Sequence, residues 1–512
     1  MKVVSVSQMR GLEQAAIEDC GVPSLLLMEN AAAGFLMALE RETGPVAGKK
    51  IHVFCGRGNN GGDGFAIARM AHNLHADVTI TLLFDEASAE GDAKTNLEIV
   101  KKMGIPFSAA GGGISCDIIV DAIFGTGFHG EIEGNAKSCI DAINNSGAFI
   151  ASVDIPSGVS ADTGHASASS VFADLCVTFA ALKPGHLLFP GRGHFQKLIK
   201  GNISVPREVI NELRSGYDVI DNSKRELIPK RETNSHKGSF GKALAFVGSA
   251  GMSGAAVLSS SAILKSGAGM ATAAVPETVL GAVCAHLTSV MTVPLPCENG
   301  SLAEPAADLL LEKLKHQDVL LAGCGIGTSD AAKKTICRLV TENEKPMVLD
   351  ADGLNAVSGC TELLLEKKCE LILTPHIVEF SRLTGLTVLK IKENPILAAR
   401  EFAQKFQVTL VLKDAVTVVA AKDGTVFISP SSNSGLATAG SGDVLAGIIT
   451  GLLSQGARPE HAAVGGVYLH LAAGNIARKA KGEYGMTSED LLSSVPAAFM
   501  EEIDIAPDIK EW

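Results

Sequence analysis

Residues 54–71 read FCGRGNNGGDGFAIARMA. An apolar strand pattern, Ile51–Cys55, runs straight into the glycines, and a helical pattern, Phe65–Leu74, leaves them. Strand, glycine turn and helix form the opening unit of a doubly wound sheet, and Gly56-x-Gly58-x-x-Gly61 satisfies the dinucleotide-binding spacing. The loop departs from an ordinary cofactor fingerprint: it holds two asparagines, an added glycine at 62 and a carboxylate, Asp63, just before the helix. A carboxylate repels a neighbouring pyrophosphate. A nicotinamide-dependent dehydrogenase is therefore one reading, kept open by Asp85 at the next strand end, and another use of the same backbone is the second.

Around this stretch the pattern repeats. Strand candidates at Val78–Phe84, Asp117–Asp121, Phe149–Asp154 and Leu175–Phe179 alternate with helical stretches such as Ala136–Asn144, which predicts a parallel sheet with helices on both faces. Residues 206–235 are charged and weakly periodic, and a connector is expected there. A second α/β series follows, with strands at Lys242–Gly248, Val319–Ala322, Met347–Asp350, Leu371–Thr374, Thr409–Lys413 and Thr417–Ala420. The predicted division is a first domain over 1–210, a linker over 211–228 and a second domain over 229–505.

Composition agrees with two large α/β cores: 512 residues, 46% hydrophobic, with 54 glycines. The net charge of −12 and the lack of a long basic run argue against nucleic-acid binding. Eleven scattered cysteines without a C-x-x-C pair support neither a disulfide framework nor a zinc site. The start, MKVVSVSQMRGLEQ, lacks a signal-peptide core. Ala243–Leu264 is uncharged and long enough to span a bilayer, but eight of its residues are Gly or Ser, so it reads as strand, turn and buried helix. A cytoplasmic location without membrane attachment is expected.

Other strand ends add chemistry to the first half. Asp121 closes DIIVD ahead of AIFGTGFHGE, and Asp154 closes FIASVD ahead of IPSG. Ligands of open parallel sheets bind beyond the carboxyl ends of the strands, so Asn60, Asp121, Asp154 and Ser157 converge on one crevice. Their all-oxygen donor set suits a hard cation. GNNGGDG, DAIFGTGFHGE, VDIPSGVSADTG and TFAALKPGH, in this order, resemble the YjeF N-terminal domain, the NAD(P)HX epimerase, over residues 1–210. The resemblance implies a Rossmann-like three-layer αβα sandwich that interconverts R- and S-NAD(P)HX at C6 of the nicotinamide ring. It further implies that Asn59, Asn60, Gly61, Gly62, Asp63, Gly125, Thr126, Gly127, Phe128, His129, Gly130 and Glu131 line the dinucleotide. Asn60, Asp121 and Ser157 would hold potassium, Asp154 would contact the reacting ring, and Lys183 would be its catalytic partner.

In the second half, NSGLATAGSGDVLAGIITGLLSQG spans residues 433–456. Val444, Leu445, Ile448, Ile449, Leu452 and Leu453 form a helical stripe, so Gly440, Ser441 and Gly442 make a small-residue loop at a helix start, suited to phosphate. Asp443 is a candidate base for a hydroxyl that attacks phosphorus. GSGDVLAG resembles the ribokinase-like superfamily. With HKGSFGKALAFVGSAGMSGAA, LLAGCGIG, VLDADGLNA, LTPHIVEFSRLTG and LVLKDAVTVV, the half is similar to the YjeF C-terminal domain, the ADP/ATP-dependent NAD(P)H-hydrate dehydratase.

That likeness implies that Gly325, His376, Ile377, Val378, Glu379, Phe380, Ser381, Arg382 and Asp443 face the hydrate. Lys413, Asp414, Ala415, Val416 and Thr417 would hold the nucleotide with Asn433, Ser434, Gly435, Leu436, Ala437, Thr438, Ala439, Gly440, Ser441 and Gly442. Magnesium is expected with the nucleotide, with Glu379 a candidate to support it. The fused reading is a repair enzyme whose substrates are NAD(P)HX and ADP or ATP, with homo-oligomers expected. The alternatives are a ribokinase-like small-molecule kinase with an N-terminal regulatory domain, and a first half that acts as a binding module only.

Overall fold

The computed structural model describes residues 1–110, 113–298, 301–506 and 509–511. It divides into two compact units, Met1–Tyr217 with the C-terminal strand, and Asp218–Ala506.

In the first unit the strands are β1 (Lys50–Cys55), β2 (Asp77–Leu82), β3 (Phe107–Ser108), β4 (Ile118–Ala122), β5 (Phe149–Val153), β6 (Ala173–Phe179) and β7 (Phe195–Gly201). They run parallel in the order β7-β6-β5-β4-β1-β2-β3. That is the doubly wound order, and its switch point lies between β1 and β4, which both start from Ile51 opposite Ile118. Strand β4 is buried at every position, Asp121 included, as expected of a sheet covered on both faces.

The strand–turn–helix unit at residues 51–74 is present, but its helix spans Asn59–Asn73 and begins six residues ahead of the expected Phe65. Asn59–Asp63 are thus the first helical turn. Glycine is a poor helix former, so packing imposes the helix here. A Cβ on Gly61 would lie 1.8 Å from the Gly56 carbonyl oxygen, and one on Gly64 2.7 Å from the Ala122 Cβ.

The second sheet contains β8 (Tyr217–Val219), β9 (Lys242–Phe246), β10 (Met270–Pro276), β11 (Met291–Leu295), β14 (Val319–Ala322), β15 (Met347–Leu349), β16 (Leu371–Leu373), β17 (Thr409–Leu412), β18 (Val418–Ala420) and β19 (Val426–Ile428). A separate antiparallel pair, β12 (Cys297–Glu298) and β13 (Ser301–Leu302), stands outside the main sheet. The main order is β11-β10-β9-β14-β15-β16-β17-β18-β19-β8. From β11 to β17 the pairs are parallel, and β18 and β19 add antiparallel.

The boundary between the units falls inside the segment expected as a linker, 211–228. That segment is not bare connector: it supplies edge strand β8 and the 3-10 turn Asn222–Leu227, and Ile220 N–H donates to Ile428 O at 2.9 Å. Charged edge strands lack the apolar alternation by which buried ones are read. The C-terminal strand β20 (Ile509–Glu511) pairs with β7 of the first unit.

Helix Ser441–Ser454 is buried from Val444 through Ser454. Two of its glycines admit the helix Ser253–Lys265: a Cβ on Gly447 would lie 2.4 Å from the Ser259 carbonyl oxygen and one on Gly451 2.6 Å from that of Ile263. The uncharged run Ala243–Leu264 is thus strand β9 followed by this packed helix. Among the described residues no helix is long and apolar enough to cross a membrane. None of the eleven cysteines is in a disulfide.

Candidate active sites

In the first unit a cavity of about 710 Å³ opens at the switch point. The loop after β1 supplies Gly56–Asn60 and Asp63, and the loop after β4 supplies Ile123–Phe128. The two loops meet backbone to backbone, since a Cβ on Gly56 would lie 1.9 Å from the Ile123 carbonyl oxygen. Met9, Arg10 and Glu13 of helix Val6–Glu18 and Leu27, Met28 and Ala31 of helix Ser24–Thr43 form a wall.

Asp154 and Lys183 both line this cavity. Lys183 is 1% exposed, and its Nζ donates to Asp154 Oδ1 at 2.6 Å and to Thr178 Oγ1 at 2.9 Å. Thr178 in turn donates to the same carboxylate oxygen at 2.8 Å. Asp154 has a left-handed backbone, φ +64°, tolerable for aspartate, as β5 ends. Burial pushes its carboxyl up, but the Lys183 ammonium, His186 and the hydrogen bonds outweigh burial and hold it below the usual carboxylate range.

His186 ties the pair together. Its Nε2 donates to the Asp154 carbonyl at 2.8 Å and its Nδ1 accepts the Lys183 backbone N–H at 3.0 Å. That is the neutral tautomer, and burial accordingly lowers its pKa to about 4. Across the cavity the Asp63 carboxyl is pushed well up by burial and then by the charges of Asp154 and Glu13. Glu13 is raised too, chiefly by burial. Thr178, His186 and Glu13 escape a reading of the sequence, because each is an ordinary residue of a strand, turn or helix until the fold brings it to Asp154.

Asp121 and Ser157 are in contact, and Asn60 stands against Gly125, next to Phe124, whose N–H donates to Ser157 Oγ at 2.8 Å. Asp121 is fully buried and accepts Ser152 Oγ at 2.7 Å, Ser157 N–H at 2.9 Å and Ser157 Oγ at 2.5 Å. Burial nevertheless leaves its pKa raised. Among the described residues no cationic side chain pairs with it, and the buried Asn60 Nδ2 has no hydrogen-bond partner. Gly125 is required beside them, since a Cβ there would lie 2.9 Å from Asn60 Oδ1. A buried carboxylate beside hydroxyl groups and without a protein cation is an oxygen-donor set that suits a hard cation.

Of the other residues expected on the dinucleotide, Asn59, Asn60, Asp63 and Gly125–Phe128 line the cavity. Gly61 and Gly62 are buried packing positions, the latter against Met28 and Ala93. His129 and Gly130 are exposed outside it. Glu131 is exposed and instead accepts Ser167 Oγ at 2.8 Å and Ala168 N–H at 3.1 Å. Asp85 caps the turn Glu86–Ser88.

In the second unit Asp443 lies in the first turn of helix Ser441–Ser454, behind Gly440, whose φ of +88° only glycine adopts easily. Ligand atoms of Asp443, Asp350 and Cys324 lie within 4.8 Å of one another. Burial first, and then the Asp350 charge, push the Asp443 carboxyl to about 6. Asp350, at the end of β15, is 2% exposed and accepts Lys413 Nζ at 2.9 Å. The Lys413 ammonium also lies 3.2 Å from where a Gly442 Cβ would stand. Lys413 therefore anchors a buried carboxylate beneath the glycine loop. Asp350 has the plainest missed signal, a strand-end carboxylate like Asp154.

His376 and Glu379 are joined in a helix cap: Glu379 Oε2 accepts the His376 N–H at 2.8 Å, and His376 Nδ1 accepts the N–H groups of Val378 and Glu379 at 3.1 and 3.3 Å. Glu379 Oε2 is thus engaged in its own helix cap, and its Oε1 lies 3.3 Å from His376 Nε2. Ile377 and Phe380 are buried, Phe380 against Phe402 at 5.3 Å between ring centroids, and so face the core and not a ligand. Val378 is exposed, Ser381 bonds Leu386 O at 2.6 Å and Arg382 reaches Asn355 at 2.8 Å. Gly325, with φ +65°, packs against Ala255 and Met252.

Among the remaining expected nucleotide contacts, Asp414 pairs with Lys392 at 3.4 Å, Ala415 is exposed and Val416 is buried. Thr417 N–H donates to Ser429 Oγ at 2.9 Å. Asn433 Oδ1 caps the turn Ser434–Leu436, with Ser434 bonded to Glu483 at 2.6 Å and Leu436 packed on Gly474. Ala437, Thr438 and Ala439 lead into Gly440, and the Thr438 carbonyl accepts Ser441 N–H at 3.3 Å.

Comparison with known proteins places this geometry. A family model described as YjeF-related protein N-terminus matches residues 24–185, and one described as NAD(P)H-hydrate dehydratase matches residues 243–497. A ribokinase-like superfamily protein of Enterococcus faecalis is 25% identical and covers 58% of this chain and 99% of its own, with a TM-score of 0.49. An ADP/ATP-dependent NAD(P)H-hydrate dehydratase of Bacillus subtilis, co-crystallised with ATP and Mg2+, is 26% identical over 56% of this chain and 99% of its own, with a TM-score of 0.48. A bifunctional NAD(P)H-hydrate repair enzyme of Moorella thermoacetica is 40% identical over 97% of this chain and 96% of its own length. The corresponding protein of Thermofilum pendens is 38% identical over the same shares. With relatives so similar along both units, this chain belongs to the family of bifunctional NAD(P)H-hydrate repair enzymes.

Proposed function

We propose that the first unit interconverts R- and S-NAD(P)HX and that the second dehydrates S-NAD(P)HX to NAD(P)H, converting ADP to AMP or ATP to ADP with release of phosphate. The observation that carries this reading is Asp443, a carboxylate with a pKa near 6 in the first turn of a glycine-led helix. A helix start of that kind offers free N–H groups and dipole charge to a phosphoryl group. Asp443 takes the proton of the C6 hydroxyl as that oxygen attacks the terminal phosphorus. The nucleotide leaves one phosphate shorter. The C6–O bond then breaks with phosphate as leaving group, C5 gives up a proton and the ring nitrogen's electrons assist. The Lys413–Asp350 pair fixes the charge beneath the loop.

In the first unit Asp154 and Lys183 form a carboxylate–ammonium pair able to take and return a proton as the C6 centre opens and recloses. Asn60, Asp121 and Ser157 would hold potassium, which would supply a fixed positive charge to the site. Magnesium would come with the nucleotide, held mainly by its phosphates and water, and would neutralise charge there; Glu379 and Asp350 are engaged by His376 and Lys413.

The test supplies mixed NADHX epimers with ADP, then with ATP, and follows the absorbance of restored dihydronicotinamide. Recovery of both epimers is expected from the wild type. With Asp154→Asn, R-to-S exchange followed by chromatography should slow by about 100-fold or more while S-NADHX is still dehydrated. Asp443→Asn should do the reverse. A stable phosphorylated product in place of NADH would overturn the reading in favour of a kinase.

A further inference from the structure

One buried histidine beside the glycine loop has no part in the chemistry above. His470 lies in helix Pro459–Gly485 and is 8% exposed. Its Nε2 stands 3.1 Å from the Ser441 carbonyl oxygen and 3.1 Å from Ser441 Oγ. A carbonyl oxygen only accepts, so the hydrogen is on Nε2 and the hydroxyl oxygen accepts it as well. Burial holds the ring neutral, with its pKa lowered to about 4.

The consequence follows from the planarity of the peptide unit. In a trans peptide the carbonyl of one residue and the N–H of the next point in opposite directions. A clamp on the Ser441 carbonyl therefore sets the aim of the Gly442 N–H. In the first turn of a helix that N–H points out of the helix start, where it is free for a ligand. Gly442 has no side chain to steady it, and Gly440 before it is in a left-handed conformation.

We propose that His470 is a positioning residue of the dehydratase reaction: through the Ser441 peptide it aims the Gly442 N–H at the transferring phosphoryl group. The inference rests on the nucleotide reading of this site. Aim matters more in the transition state than in the ground state, because the charge on the phosphoryl oxygens is met by donors already in place.

The experiment compares His470→Ala, His470→Gln and His470→Asn in the full chain. The amide nitrogen of glutamine reproduces Nε2, whereas that of asparagine falls at the Nδ1 position. Dehydration of S-NADHX is measured at varied ADP and ATP, with thermal midpoints taken in parallel. Alanine and asparagine should lower kcat roughly tenfold or more with little change in KM for the nucleotide, and glutamine should restore most of it. Ser441→Ala, which keeps the carbonyl, should cost less than His470→Ala. Equal rates for the glutamine and asparagine variants, or losses that only follow the thermal midpoints, would overturn the inference. If the alanine variant does not fold, the glutamine–asparagine comparison decides alone. A wild type that turns over with neither nucleotide would instead remove the reading on which the inference rests.

Discussion

Asp443 and Asp154 are both strand-end or helix-start carboxylates, yet their surroundings drive them apart. Asp154 has a buried ammonium at 2.6 Å and is held ionised. Asp443 has a second carboxylate as neighbour, and its pKa rises to about 6. A base works only when ionised, so the dehydratase rate should climb with unit slope up to about pH 6 and level off above it. Asp350→Asn removes the charge that raises Asp443 and frees Lys413 to attract it. The acid limb should then move to lower pH, and a limb that stays where it was would mean that Asp443 is not the titrating base. Much of this was legible in the sequence: Asp154, Lys183 and Asp443 stand beside glycine turns and name themselves. Thr178, His186 and His470 do not, because their meaning comes from a partner that only the fold brings near.

At the scale of elements, sequence patterns found β1, β2, β4, β5 and β6 of the first sheet and β9 and β14 to β18 of the second, but passed over the parallel strands β10 and β11 and misjudged where the first glycine-rich helix begins. GNNGGDG contains nothing that favours helix, and only the pressure of β1, β4 and the helix Ser24–Thr43 makes it one. Strands β3, β7 and β8 were unread for the opposite reason: they lie at or near sheet edges, and β7 carries Gln196 and Lys197 exposed in its middle. Close helix approach is a stronger constraint. Gly447→Ala would drive a methyl to 2.4 Å from the Ser259 carbonyl, and neither backbone can retreat within a core this full. It should destabilise the second unit by about 2 kcal/mol, read as a lower urea midpoint with slope unchanged. An unchanged midpoint would mean that the two helices part freely.

For the molecule as a whole, each unit holds a buried histidine whose pKa burial lowers to about 4, His186 in the first and His470 in the second. Their unfolded value is near 6.5, so between pH 6.5 and 4 the unfolded chain binds the extra protons. The stability these sites lend is complete above pH 6.5 and drains away as pH falls, by on the order of 3 kcal/mol each near pH 4. Urea midpoints taken from pH 7 to pH 4.5 should fall for both units, and His470→Gln should flatten the fall in the second only. Midpoints that hold steady would deny the neutral buried state. The division between units is legible as two α/β series, and the boundary between Tyr217 and Asp218 falls inside the segment 211–228 expected to join them. The meeting of Gly56 with Ile123 carries a last consequence. With the Gly56 backbone pressed on the Ile123 carbonyl, the two loops have no room to draw closer, and a side chain at 56 would force them apart. The width of the cleft is thus fixed at its base, and fit to one coenzyme or another falls to the side chains that line it, such as Phe124 and Phe128 on the loops and Met9, Arg10 and Met28 on the wall.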